Sequence, residues 1–211
     1  MTGPVKNIIF DFGGILLDLD YSLSFNRLKA LLKIEGPMPD YLVQILDEYE
    51  MGYFGEASFL HRLQRIAPNT LSERDLIKAW NAMLLKLPRY RLDYVRNLRT
   101  EYSTYLLSNT NHTHLTYVRH NMFPQIGITN FEEDHFIKAY YSHEIKLRKP
   151  NHNIYEYVLR DSALIPEETL FIDDNEDNIR GARELGIKAI LHDPQTEIIE
   201  KLSHYLEQSN S

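Results

Sequence analysis

Apolar residues along this chain follow two rhythms. Short continuous runs, each ending on polar or acidic residues, occur at Asn7-Ile8-Ile9-Phe10-Asp11, Leu106-Leu107-Ser108-Asn109-Thr110 and Thr169-Leu170-Phe171-Ile172-Asp173-Asp174. Such runs are what a parallel strand covered on both faces requires. Over residues 21–94 the rhythm changes: apolar residues recur at helical spacing and no strand pattern appears. Leu23, Leu28, Leu31 and Leu32 predict one helix, and Leu42, Ile45, Leu46 and Tyr49 a second. Phe59, Leu60, Leu63 and Ile66 predict a third. Leu76, Ile77, Trp80, Met83 and Leu84 predict a fourth, opened by a Ser72–Asp75 capping box and closed by Pro88. Trp80 and the many tyrosines here read as core packing.

Strand and helix then alternate. A helix around 94–98 leads to a strand over 102–107, and a helix around 115–121 to a strand over 136–141. Ile154, Tyr157 and Val158 mark a helix before a strand over 169–172. A helix through Ile179, Ala182 and Leu185, stopped by Gly186, precedes a strand over 187–191. Ile198, Ile199, Leu202, Tyr205 and Leu206 form a last amphipathic helix. Such alternation implies right-handed crossovers and a parallel sheet. The prediction is an α/β protein with a Rossmann-like parallel sheet core flanked by helices, built from residues 1–20 and 95–211. An α-helical cap, residues 21–94, is inserted after the first strand.

Composition narrows the function. A net charge of -7 argues against broad attraction to nucleic acid. The absence of cysteine removes disulfides, thiolate metal sites and thiol nucleophiles, and suits a reducing compartment. No apolar run approaches transmembrane length and no signal-peptide pattern opens the sequence, so a cytoplasmic protein without a membrane partner is expected. Neither a Walker phosphate loop nor a dinucleotide fingerprint occurs, so ATP or NAD use is not indicated.

The strand ends carry the candidate chemistry, because ligands of open α/β sheets bind in the crevice outside them. Asp11 alone can be a nucleophile, a metal ligand or a loop residue. Asp173 and Asp174 on another strand end change that reading: three converging carboxylates repel unless a cation joins them. Oxygen-only ligands favour Mg²⁺ over zinc, with phosphate oxygens and water completing the shell. Ser108 and Asn109 offer a hydroxyl and an amide. The amides near Gly13 and Gly14 are further donors for an anion. Pro150 should hold Lys149 extended, where it can relieve the carboxylates or bind a phosphoryl group. Lys146 and Arg148 read as solvated surface charges. His112 and His114, two apart in a predicted turn, also read as solvated.

This ordered set resembles the haloacid dehalogenase (HAD) superfamily over nearly the whole chain, in the branch with a helical cap between its first and second motifs. Asp11 resembles the nucleophile of the first motif and Ser108 the phosphate-binding residue of the second, with Asn109 following. Lys149 in Lys-Pro resembles the third motif, and Asp173-Asp174 with Asn178 behind them the acidic fourth. The resemblance implies a phosphatase for a small phosphorylated metabolite, such as a sugar phosphate, working through an aspartyl-phosphate on Asp11. It implies Mg²⁺ held by Asp11, the Gly13 carbonyl, Asp173 and Asp174, with Ser108 and Lys149 orienting the phosphoryl oxygens.

One position departs from that pattern. Most family phosphatases carry an acid/base aspartate two residues after the nucleophile; here Gly13 stands there, as in a relaxed Asp-x-Gly branch. Asp18, Asp20, Glu50 and His112 are the candidate substitutes. Gly13 leaves two rival readings: a 2-haloacid dehalogenase, or a weakly active or non-catalytic phospholigand-binding protein. Tyr21, Tyr49, Tyr53 and Phe54 are candidates for the entrance.

Overall fold

In the computed structural model, which describes residues 4–209, the apolar runs form a parallel sheet. Its strands are β1 (Asn7–Phe10), β2 (Ser103–Ser108), β3 (Lys138–Tyr141), β4 (Thr169–Asp173) and β5 (Lys188–Leu191), in the order β3-β2-β1-β4-β5. Phe10, at the end of the central strand, lies level with Leu106 of β2 and Ile172 of β4. The residues just beyond these positions therefore emerge side by side at one edge of the sheet.

Side chains alternate between the two faces, as a pleated strand dictates. Ile8, Phe10, Leu106, Leu170 and Ile172 pack on one side against Leu92, Leu115, Phe131 and Leu202. Those partners come from α5 (Arg89–Leu98), α6 (His112–Tyr117), α7 (Phe131–His135) and α11 (Ile198–Ser209). Ile9, Tyr105, Leu107 and Phe171 face the other way. They meet α9 (His152–Asp161) and α10 (Glu176–Glu184), while α8 (Ser142–Ile145) is a single turn after β3. Both faces of the sheet are covered, which is why its strands read as unbroken apolar runs.

The helical block is α1 (Tyr21–Leu32), α2 (Asp40–Glu50), α3 (Glu56–Ile66) and α4 (Glu73–Trp80). It has its own apolar centre, in which Leu28, Leu42, Tyr49, Phe59, Leu63 and Trp80 are buried. Tyr49 stacks on Phe59 at 4.1 Å between ring centroids. The Ser72 hydroxyl accepts the Asp75 N–H and opens α4. Pro88 does not close that helix. It ends at Trp80, because buried Ser24 donates to the Trp80 carbonyl and accepts the Met83 N–H, fixing a tight turn at Asn81–Met83. Pro88 instead precedes α5, which begins before the predicted 94–98.

Two linkers join block and sheet, and they pair with each other. Leu19 and Leu84 form an antiparallel bridge. The Asp18 N–H donates to Lys86, the Leu85 N–H to Asp18 and the Asp20 N–H to Met83. The helix predicted over 115–121 is α6 followed by a wider turn at Val118–Met122. The strand predicted from residue 136 starts at Lys138, because Phe136 closes α7 with its N–H on Glu132. Among the described residues no helix is long and apolar enough to cross a membrane.

Candidate active site

The sheet edge where β1, β2 and β4 end opens into a cleft of about 400 Å³. Asp11, Gly13, Ser108, Asn109, Lys149, Asp174 and Asn178 line it from the sheet side; Leu19, Tyr21, Glu50, Met83 and Leu84 line it from the helical block and its linkers.

Lys149 is the hub of the floor. Its side chain is 1% exposed, and its ammonium lies 2.9 Å from Asp11 Oδ1, 2.6 Å from Asp173 Oδ2 and 3.0 Å from the Leu107 carbonyl. An ammonium has three protons, so all are committed. Burial works against the Lys149 charge, but Asp11 and Asp173 outweigh it and hold the pKa above its ordinary value. The backbone of Lys149 is clamped as well. Asn109 donates its amide to the Lys149 carbonyl and accepts the Lys149 N–H, each at 3.0 Å. The Asn109 side chain, read from sequence as a phosphate contact, is thus occupied in positioning the lysine. The Lys149–Pro150 peptide is cis.

The carboxylates differ in their partners. Asp173 is fully buried; it accepts the Asn175 N–H, both contacts from the Asn178 amide, and Lys149. Asp11 Oδ1 takes Lys149 and, at 2.7 Å, the Phe12 N–H. One oxygen from each of Asp11, Asp173 and Asp174 falls within 4.8 Å of the others. Burial raises the pKa of Asp11 well above its ordinary value; Lys149 opposes this, and Asp173 and Asp174 add to it. Burial, then the charge of Asp173, pushes Asp174 up to about 6. One lysine does not balance three carboxylates at this range.

The glycines explain how the site is so close-packed. A Cβ on Gly14, whose φ is +74°, would overlap the Asp174 carboxylate. The Gly14 N–H donates to the Leu17 carbonyl at 2.8 Å. It is therefore not the anion donor expected from the sequence, since the loop uses it internally. At Gly13, the Leu19 side chain fills the place a Cβ would take.

Of the substitute acids, Glu50 alone lines this cleft. Asp18 pairs with buried Arg91 at 2.7 Å, Asp20 caps α1 through the Ser22 N–H, and His112 is exposed on α6. Arg148 is not a solvated charge: it is half-buried and bridges Glu50 at 3.0 Å and Asp47 at 3.2 Å, because the end of α2 is seated on its loop. His114 is buried too. Asn111 caps α6 and turns the ring onto Trp80, 4.7 Å away between centroids. Its Nε2 donates to the Trp80 carbonyl and its Nδ1 accepts the Asn111 amide, and burial lowers its pKa to about 4. Among the aromatic candidates only Tyr21 reaches the cleft. Tyr49 is buried inside the helical block, Phe54 packs on it at 5.9 Å, and Tyr53 faces solvent elsewhere. Arg148 and His114, read from the sequence as solvated, carried one signal between them, the Asn111–His114 capping interval; Glu50 was among the candidate acids, with nothing in the sequence to rank it above the others.

This fold and this edge cluster place the chain in a defined class. A family model for haloacid dehalogenase-like hydrolases matches residues 5–186, and the chain belongs to that family. It is 31% identical over 190 residues to a D-ribitol-5-phosphate phosphatase of Bacteroides thetaiotaomicron, covering 87% of this chain and 90% of that one. A HAD family enzyme of the same organism, solved with magnesium and inorganic phosphate, superposes with a TM-score of 0.80 at 35% identity, covering 92% of this chain and 96% of that one. A predicted HAD-like family hydrolase from Porphyromonas gingivalis gives 0.85 at 32% identity, with 96% and 98% covered.

Proposed function

We propose that this protein is a Mg²⁺-dependent phosphatase that cleaves a small phosphate monoester through an aspartyl-phosphate on Asp11. The observation that carries the reading is the trio of carboxylate oxygens within 4.8 Å, served by a single buried lysine. The donor set fits a hard divalent cation: all oxygen, no sulfur or imidazole, and a Gly14 cradle that admits the Asp174 carboxylate. Asp11, Asp174 and the Gly13 carbonyl would hold it, with Asp173 close by. When bound, Mg²⁺ neutralises phosphoryl charge.

The chain's own groups then divide the work. Asp11 Oδ2 is the oxygen left for attack, since Oδ1 is held by Lys149 and the Phe12 N–H. Its attack on phosphorus forms the acyl-phosphate bond as the bond to the ester oxygen breaks, and the departing oxygen takes a proton from solvent water to leave as the alcohol. Water then attacks the same phosphorus, giving up a proton to solvent, which releases phosphate and restores Asp11. Ser108, buried at the end of β2, and the Asn109 backbone N–H face the phosphoryl oxygens. Lys149 reaches those oxygens only by giving up one of its present partners. Asn178 holds Asp173, and Asp173 holds Lys149.

The helical block α1–α4, entered and left through the linkers that pair at Leu19 and Leu84, acts as a cap over this cleft. Likeness to the ribitol-phosphate phosphatase supports a phosphorylated sugar or polyol as substrate. The carboxylate trio disfavours the dehalogenase reading, which needs no cation. The test is phosphate release from an aryl phosphate with Mg²⁺. EDTA should silence it and added Mg²⁺ restore it, and Asp11→Asn should reduce it to background; wild-type turnover in that variant overturns the assignment. A protein that binds phosphate but leaves the ester intact is the second reading, favoured by Gly13.

A further inference from the structure

We propose that Glu50, fixed by Arg148, and the Tyr21 hydroxyl form the subsite for the alcohol half of the substrate, selecting an uncharged, hydroxyl-bearing group over one with a second anion. The inference rests on the phosphatase reading and adds to it what the roof of the cleft recognises.

In-line attack from Asp11 sends the departing oxygen away from the sheet, toward the helical block. The surface it meets there is Leu19, Met83, Leu84, Tyr21 and Glu50. His114 is also in the wall, but both ring nitrogens are already bonded within the chain. Hydroxyl recognition at the roof therefore falls to Tyr21 and Glu50.

Glu50 is held as a rigid acceptor. Its carbonyl takes the Ser142 hydroxyl at 2.6 Å, and its Oε2 takes Arg148 Nε at 3.0 Å. Arg148 also reaches Asp47, so one guanidinium stands between two carboxylates and the trio keeps a net negative charge. Lys149 below is committed to Asp11 and Asp173. A carboxylate or second phosphate on the leaving group would meet uncompensated negative charge, whereas a hydroxyl donates to it. Tyr21, at the first position of α1, is half-exposed at the mouth. Burial and the charges of Asp11, Asp174, Glu50 and Asp173 hold its hydroxyl protonated, so it donates as well as accepts. A cleft of about 400 Å³ suits a short-chain monophosphate.

The test assays wild type, Glu50→Gln and Tyr21→Phe with Mg²⁺ on p-nitrophenyl phosphate, D-ribitol 5-phosphate and 3-phosphoglycerate. Wild type should prefer the polyol ester to phosphoglycerate. Glu50→Gln should raise KM for the polyol ester, relative to the aryl ester, by roughly tenfold to a hundredfold, the worth of a hydrogen bond to a charged group. It should also narrow the discrimination against phosphoglycerate. Tyr21→Phe should shift the same ratios less, and it carries the test if Glu50→Gln fails to fold. Unchanged ratios in both variants overturn the proposal. So does a kcat loss shared by all three esters with a lost limb of the pH profile, which would make Glu50 an acid/base group. If wild type hydrolyses the aryl ester but prefers phosphoglycerate, this inference alone fails. If it releases no phosphate from any ester, the phosphatase reading fails too.

Discussion

The floor of the cleft and its roof are built on different plans. On the floor, three charged groups are fixed by partners: Lys149 by side chain and backbone, Asp173 by an amide, a backbone N–H and the lysine, Asp11 by two donors on one oxygen. The roof presents mostly apolar side chains with one hydroxyl and one paired carboxylate. A fixed floor serves a transition state that is the same for every phosphate ester, because preorganised charge costs no reorganisation during reaction. A sparse roof makes few demands, and the ones it makes concern the part of the substrate that differs.

Perturbing each region should separate the two roles. The largest effect is expected from Lys149→Met, which leaves Asp11 and Asp173 buried without their cation. Breaking such a pair costs about 3–5 kcal/mol, measurable by denaturant unfolding, and kcat should collapse on every ester alike. Loss confined to one substrate would erase the distinction between floor and roof.

Acid comes next. His114, at the seam between roof and floor, titrates at about 4 in the folded protein against about 6.5 unfolded. The folded state then binds fewer protons than the unfolded one between those values, so stability falls as pH drops through that window. The loss approaches about 3 kcal/mol by pH 4. His143, also lowered to about 4 by burial, acts in the same direction. Thermal melts from pH 7 to 4 check this, and His114→Gln should flatten the slope.

Gly52→Ala is the most local probe. At φ +65° its Cβ would strike the His143 carbonyl, so the end of α2 must lift from α8. The backbone strain alone is about 1–3 kcal/mol, displacement of the carbonyl adds to it, and KM should rise more than kcat falls. Equal effects on both constants would place this contact with the chemistry instead.

The same contrast decides what could be read from the sequence. Asp11, Ser108 and Asp173-Asp174 stand out because a buried strand must end, and the residues at its tip face the crevice. Lys149 stands out because Pro150 succeeds it. The sheet, its alternation and the helical insertion were legible for the same reason, since each is periodic. Glu50 could not be ranked among the candidate acids, and Arg148 was hidden, because ordinary helix and loop charges look identical until two distant segments meet. His114 was hidden because the turn that buries it depends on Trp80, far away in the chain. Asn109 and Gly14 were visible, but their uses were not: hydrogen bonds within the loops claim groups that the sequence offers to a ligand.

The paired linkers at Leu19 and Leu84 have a further consequence. The insertion leaves and re-enters the sheet through one doorway, two chain segments wide. Its ends are already neighbours, so a helical block of another size could be grafted there without disturbing a single strand. A scaffold arranged this way can exchange what it recognises while its reaction centre stays as it is.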